Sequence, residues 1–185
     1  MKRTLLFLLL AGQLVVFASC SESRELNDMP EYDGPMLVAY NIETLMSDSA
    51  IVRIRLQAPL QHEFQTGDRE FPEGMHMDFL EPDGHTSSTV DAEKGYYYQE
   101  SKLWKVTGNV ILEGLDRGER LTTEELWWDP SKKEVFTEKA VTIREGDEVL
   151  HGTGLTAAQD FSTYSLSNIT AQTTVESEEP EEIEE

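Results

Sequence analysis

The chain is short of nearly everything from which catalytic and metal sites are built. It holds one cysteine, Cys20, so no internal disulfide can form. Its four histidines, His62, His76, His85 and His151, fall in no His-x-His or His-x₃-His spacing. A metal site would therefore have to be assembled from distant segments, and they read as surface histidines. There is no Gly-x-Ser-x-Gly nucleophile elbow, and Gly152-Thr-Gly154 lacks the lysine and the strand-to-helix context of a phosphate loop. It reads instead as a strand flexing at a close approach. Carboxylates are so frequent that no pair of them singles out a glycosidase dyad. No catalytic residue, metal or cofactor is assigned, and the expectation is a protein that is not an enzyme. Basic charge is scarce too: 15 Lys and Arg stand against 36 Asp and Glu, a net charge of −21. That balance opposes nucleic acid, whose affinity comes from neutralised phosphates. It equally opposes docking of the folded body on an anionic membrane.

No apolar run is long enough to read as a spanning helix. The longest, Leu5 to Ala18, holds 14 residues against the roughly 20 a bilayer requires. Preceded by Lys2 and Arg3 and followed by Ala18-Ser19-Cys20, it has the anatomy of a secretory signal. Small residues before a lone cysteine resemble the lipobox of bacterial lipoproteins, with Phe17 where that pattern usually has Leu. Three outcomes stay open: a signal over 1–19 with acylation of Cys20, an uncleaved anchor, or plain cleavage after Ala18. All three place the chain outside the cytoplasm. Residues 20–35, with Pro30, Gly34 and Pro35, read as a polar tether. At the other end seven of the last ten residues are glutamates, so 172–185 reads as a disordered acidic tail.

Between them, over 36–171, apolar and polar residues alternate and turn residues separate the runs. Val38, Tyr40 and Ile42 answer Val52, Ile54 and Leu56 across Ser47-Asp48-Ser49. Met75, Met77 and Phe79 lead into the turn Pro82-Asp83-Gly84. About eleven short strands result, and no segment has helical spacing, so the class is all-β. The pattern also repeats. Phe79 to Val110, Val90 to Leu121, Val110 to Val141 and Val135 to Leu166 are each 31 positions, while Leu121 to Leu150 is 29. A fixed period means one β-meander unit stacked on copies of itself, one copy carrying a bulge or a shorter loop. Period-two reading puts Trp104, Val106, Val110 and Leu112 on one face, with Val141 and Ile143 on the matching side. At Glu124-Glu125-Leu126 the alternation slips, which predicts a β-bulge and leaves the face of Trp127 against Trp128 open. The tryptophans suit either a core cluster or a sugar-stacking platform.

Phe71-Pro-Glu-Gly-Met75, Lys102-Leu-Trp-Lys-Val-Thr-Gly-Asn-Val110, Leu121-Thr-Thr-Glu-Glu-Leu-Trp-Trp-Asp129 and Gly152-Thr-Gly-Leu155 with Asp160-Phe-Ser162 resemble the LptC family in order and spacing. These are periplasmic lipopolysaccharide-export components of Gram-negative bacteria. The Cys20 lipobox departs from better-known members, which keep a transmembrane helix. The resemblance implies an open, twisted antiparallel β-jellyroll whose apolar groove shields acyl chains. Phe79, Val90, Val106, Val110, Leu112, Leu121, Val141 and Ile143 are the residues expected to line it. It further implies receipt of lipopolysaccharide from an inner-membrane ABC transporter and transfer to a periplasmic jellyroll bridge protein by strand addition. The anchor would hold the protein to the inner membrane.

Two other readings compete. A lipid-anchored β-sandwich binding module for glycan or a partner would carry its aromatics on an exposed face. A structural scaffold would have a closed interior packed to core density.

Overall fold

The computed structural model describes residues 32–174, so the leader, Cys20, most of the tether and the tail beyond 174 lie outside the described residues. The compact unit begins at Gly34. It contains eleven strands: β1 (Leu37–Asp48), β2 (Ile51–Glu63), β3 (Arg69–Phe71), β4 (Met75–Leu80), β5 (Thr86–Ala92), β6 (Lys94–Tyr98), β7 (Leu103–Gly114), β8 (Glu119–Asp129), β9 (Glu134–Glu145), β10 (Glu148–Ala158) and β11 (Tyr164–Thr174). The last strand ends at Thr174, past the Ala171 boundary read from the alternation. All strands join one antiparallel sheet.

The pairing is a meander with bent members. Gln57 faces His76 on β4 while His62 faces Glu70 on β3, so β3 and β4 are the two halves of one strand beside β2. In the same way β5 and β6 are halves of one strand, both beside β7. The 31-residue period survives in the element boundaries: β9 begins 31 positions after β7, and β10 begins 29 after β8. The missing two residues are in the turn, which is 115–118 in the first copy and 146–147 in the second.

The bends fall on one line across the sheet. Asn41 on β1 has a φ of 49°, Gly74 between β3 and β4 has 95°, Gly108 and Asn109 on β7 have 79° and 42°, and Gly154 on β10 has 68°. Pro59 takes the corresponding place on β2, between the pairs Tyr40–Leu60 and Ile42–Ala58. On β8 the register shifts between Thr123 and Trp127, the slip expected at Glu124-Glu125-Leu126. Because bulges and left-handed residues turn a strand out of its plane, this line is a crease that folds the sheet into two leaves. Leaf A holds the halves near Ile42–Asp48, β4, β5, Val110–Gly114 and Val141–Glu145. Leaf B holds β3, β6, Leu103–Thr107, Leu126–Asp129 and Val135–Thr137. The leaves pack face to face: Phe79 of leaf A meets Trp128 of leaf B edge-on at 5.2 Å between centroids. The fold is an antiparallel β-jellyroll.

At Gly154 a Cβ would lie 2.8 Å from Ser167 Oγ, whereas at Gly118, with a similar φ of 74°, nothing lies within 4 Å. Gly118→Ala should cost about 1 kcal/mol, the strain of a left-handed residue alone. Gly154→Ala should cost about 1–3 kcal/mol beyond that. Urea unfolding midpoints measure both, and equal losses would refute a steric role for the crease at β10.

Candidate functional site

All eight residues expected to line the groove are buried, at 5% exposure or less. They belong to one apolar cluster between the leaves. Register explains why they meet. Leu56 faces Met77, Met77 faces Val90, Val90 faces Leu112, Leu112 faces Leu121, Leu121 faces Ile143, and Ile143 faces Leu150. This single row crosses seven strands at right angles to them, roughly 29 Å at about 4.8 Å per strand. Val110 and Val141 flank Thr123 in a second row. On leaf B the corresponding row is Tyr97, Trp104, Trp128, Val135 and Ala157.

Of the eight, only Val106 sits on leaf B. The reading from alternation therefore found one wall and most of it, and missed Phe71, Leu126, Trp128, Val135, Leu155 and Phe161, all buried on the other. Trp128 points inward and Trp127 outward. On the outer face Trp127 stacks between Tyr98 at 5.7 Å and Phe136 at 6.3 Å, with Lys105 Nζ 5.1 Å from its ring centroid. Its faces are occupied by neighbours, and Trp104 and Trp128 are interior, so the three tryptophans form no shared platform.

The interior is filled. The cavity among Met77, Phe79, Val90, Trp104, Val106 and Leu126 holds only about 10 Å³, no more than one water. A much larger cavity, about 780 Å³, lies instead beside the crease, among the outward carboxylates Glu43, Glu73, Asp91 and Glu93. A third, about 240 Å³, opens at the mouth between the leaves, with Met46, Ile54, Trp128 and Pro130 as walls and Arg53 and Lys133 beside them. Buried hydroxyls are turned to the backbone: Ser87 Oγ donates to the Phe79 carbonyl, and Thr123 Oγ1 to that of Ala140 at 2.9 Å. Away from Glu119 at the mouth, the inner walls are therefore apolar in effect as well as in composition.

Histidine is less peripheral than its spacing implied. His76, on the outer face of leaf A, is half-buried, with Nδ1 2.7 Å from Asp91 Oδ1 and Nε2 3.2 Å from Asp78 Oδ1. Asp78 is buried and also takes a hydrogen bond from Arg55 Nε at 2.7 Å. Burial alone pulls the His76 pKa down, but hydrogen bonds and charge from Asp91 and Asp78 outweigh it and hold it above 6.5. His151 is half-buried too, with Nδ1 3.0 Å from Thr142 Oγ1. Among the described residues no three His, Cys, Asp or Glu side chains converge as metal ligands. No helix among them is long and apolar enough to cross a membrane.

The described residues form a folded antiparallel sheet with an apolar seam between its leaves. The family model described as lipopolysaccharide-assembly, LptC-related matches residues 4–174, nearly the whole chain. The chain belongs to the LptC family, and with it to the periplasmic, inner-membrane-associated components of lipopolysaccharide transport. No curated protein matches it.

The His76 pairs give a pH signature. Because the folded pKa is raised, their stabilisation is complete below pH 6.5 and is lost as pH rises through the folded value. The stability difference between wild type and His76→Gln should shrink from about pH 5 to about pH 8.5 by less than about 1 kcal/mol, the side chain being partly solvated. A difference that grows with pH would contradict the ion-paired geometry.

Proposed function

We propose that the seam between the leaves is the path of lipopolysaccharide acyl chains. The protein accepts them from the inner-membrane ABC transporter and passes them to the next periplasmic jellyroll. The observation that carries this reading is the row from Leu56 to Leu150, apolar at every step and running along the axis on which jellyrolls would join. A multi-acylated lipid cannot cross water bare, since each exposed CH₂ costs about 0.8 kcal/mol. Among the described residues two edges are available for joining: β1 pairs only with β2, and β11 only with β10. Unpaired edge backbone accepts a further strand. Phe79, Val90, Val106, Val110, Leu112, Leu121, Val141 and Ile143 are the contacts we assign to the acyl chains.

One observation favours a second reading, a scaffold that seats partners and carries no lipid: the interior is packed shut. A photo-crosslinker at Val110 in intact cells decides between them, because a scaffold gives no lipopolysaccharide adduct there. With the lipid reading, Ile143→Arg abolishes that adduct, and Val110→Asp and Ile143→Arg each abolish outer-membrane integrity at equal protein level. Each puts a charge in an apolar seam, at several kcal/mol if it stays dry. His62→Ala, His85→Ala and His151→Ala leave both near wild type. The opposite pattern would sink the acyl path and require a polar site.

We further infer that Cys20 is the acylated first residue of the mature chain. Cys20→Ala should then yield a leader-bearing or a soluble form. Unchanged membrane attachment with an intact N-terminus, read by mass spectrometry, would make the leader a retained anchor.

A further inference from the structure

The mouth of the folded sheet, opposite the crease, is where acyl chains would have to pass if they enter from the side, and a single turn spans it. Residues 159–163 join β10 to β11 and belong to leaf B: Gln159 N donates to the Lys133 carbonyl at 3.0 Å, and Ala158 N to that of Thr163 at 2.9 Å. From there the turn reaches leaf A. The Gln159 carbonyl accepts a 2.6 Å hydrogen bond from Ser88 Oγ on β5. Within leaf B its side-chain Oε1 accepts another from Trp128 Nε1 at 3.2 Å. The Ser162 carbonyl accepts from an Arg117 guanidinium nitrogen at 2.8 Å. Arg117 is itself held by the buried Glu119 at 2.8 Å and by Glu145 at 3.1 Å.

Phe161 completes the contact. It is wholly buried, its Cβ lying 3.2 Å from where a Cβ on Gly114 would stand, so the glycine is what lets the turn close. It is also in the left-handed region, with φ at 56°. For a bulky residue that conformation is strained, and such strain collects at clamps and switches. Beside the turn, with Gln159 as part of its wall, lies the 240 Å³ apolar cavity of the mouth.

We propose that the turn 159–163 is a latch that holds the two leaves shut over the acyl path, and that loading requires its release from Ser88, Gly114 and Arg117. The inference rests on the acyl-path reading. It explains how a lipid conduit can have a filled interior: the closed form is the unloaded state, and the cavity beside Gln159 is where the leaves begin to part.

The test locks the latch. Cβ atoms at 114 and 161 would lie within a few tenths of an ångström of the separation a disulfide needs, about 3.5–4.5 Å. The Gly114→Cys/Phe161→Cys double variant, in the full chain with the photo-crosslinker at Val110, is oxidised in cells and the bond mapped by mass spectrometry to exclude pairing with Cys20. Lipopolysaccharide adduct should fall about tenfold on oxidation and return on reduction. Ser88→Ala, which removes one tie while leaving the turn intact, should speed adduct formation about two- to fivefold. A mapped disulfide that leaves adduct unchanged overturns the latch. So does an unaltered rate in Ser88→Ala, which decides the matter if the reduced double variant fails to fold. If wild type carrying only the crosslinker gives no adduct, the acyl path itself is refuted and the latch falls with it.

Discussion

Everything in this fold depends on the strands from β1 to β10 bending on one line. A flat meander of this length would expose an apolar face over its whole width; folding it in half buries that face against itself. The bend is produced by different chemistry on successive strands. It is a left-handed asparagine at Asn41, a proline at Pro59, glycine at Gly74, Gly108 and Gly154, and a register slip after Thr123 on β8. The interactions the crease permits are then cooperative in space. Each leaf contributes straight cross-strand rows, and a row is continuous only if every strand bends at the same register. One wrongly placed bend would shift its strand's inward set to the solvent side beyond the bend, because side chains alternate with period two.

That same arithmetic decides what the sequence could reveal. Within one half-strand the alternation is clean, so Val110, Leu112, Leu121, Val141 and Ile143 are legible as one wall. On β8 the inward positions pass from odd-numbered Leu121 and Thr123 to even-numbered Leu126 and Trp128, and on β10 from Gly152 to Leu155 and Ala157. A reader following parity through those points loses the second wall, and Trp127 and Trp128 become ambiguous. The slip near Glu124 was visible; which side it delivered was not, since that depends on the partner leaf. Phe161 had no signal at all: it sits in a turn and is inward only because the turn docks across the mouth. The 31-residue period was legible because it is a property of strand spacing, and its 29-residue exception reports a turn shorter by two. His76 was misjudged because Asp91, across a strand pair, and Asp78 supply charge that linear spacing does not display.

The charge distribution is consistent with transport. Acidic groups crowd the outer face beside the crease, while the inner rows carry none. Among the described residues Glu119 is the one fully buried carboxylate, and it is ion-paired with Arg117 at the foot of the turn. On the proposed acyl path, a lipid with an anionic head would be held by its tails and repelled elsewhere, which would suit release after binding. Strong phosphate ligands in the seam would slow the next transfer. The edges fit the same logic: β1 exposes Leu37, Val38, Tyr40 and Leu45, and β11 exposes Ile169, apolar side chains on strands whose backbone is half unpaired.

A packed interior and a lipid path are reconciled by comparing magnitudes. Fully burying one Val, Leu, Ile or Phe stabilises by about 1.5–3 kcal/mol, so parting the leaves in water would expose more than a marginally stable domain can lose. The empty trough therefore cannot stand open. An acyl chain changes the comparison, because it covers the very rows that opening exposes and removes its own surface from water, about 10 kcal/mol for some fourteen carbons. Against that, the ties across the mouth are small: a net hydrogen bond contributes about 0.5–1.5 kcal/mol, and the Arg117 pairs are half-solvated and weaker than their distances suggest. A turn acting as the proposed latch could therefore hold the leaves shut without lipid and still yield when one arrived. On the proposed acyl path, closure after transfer would need no separate energy source, since the rows would rebury themselves as soon as the chain had moved on.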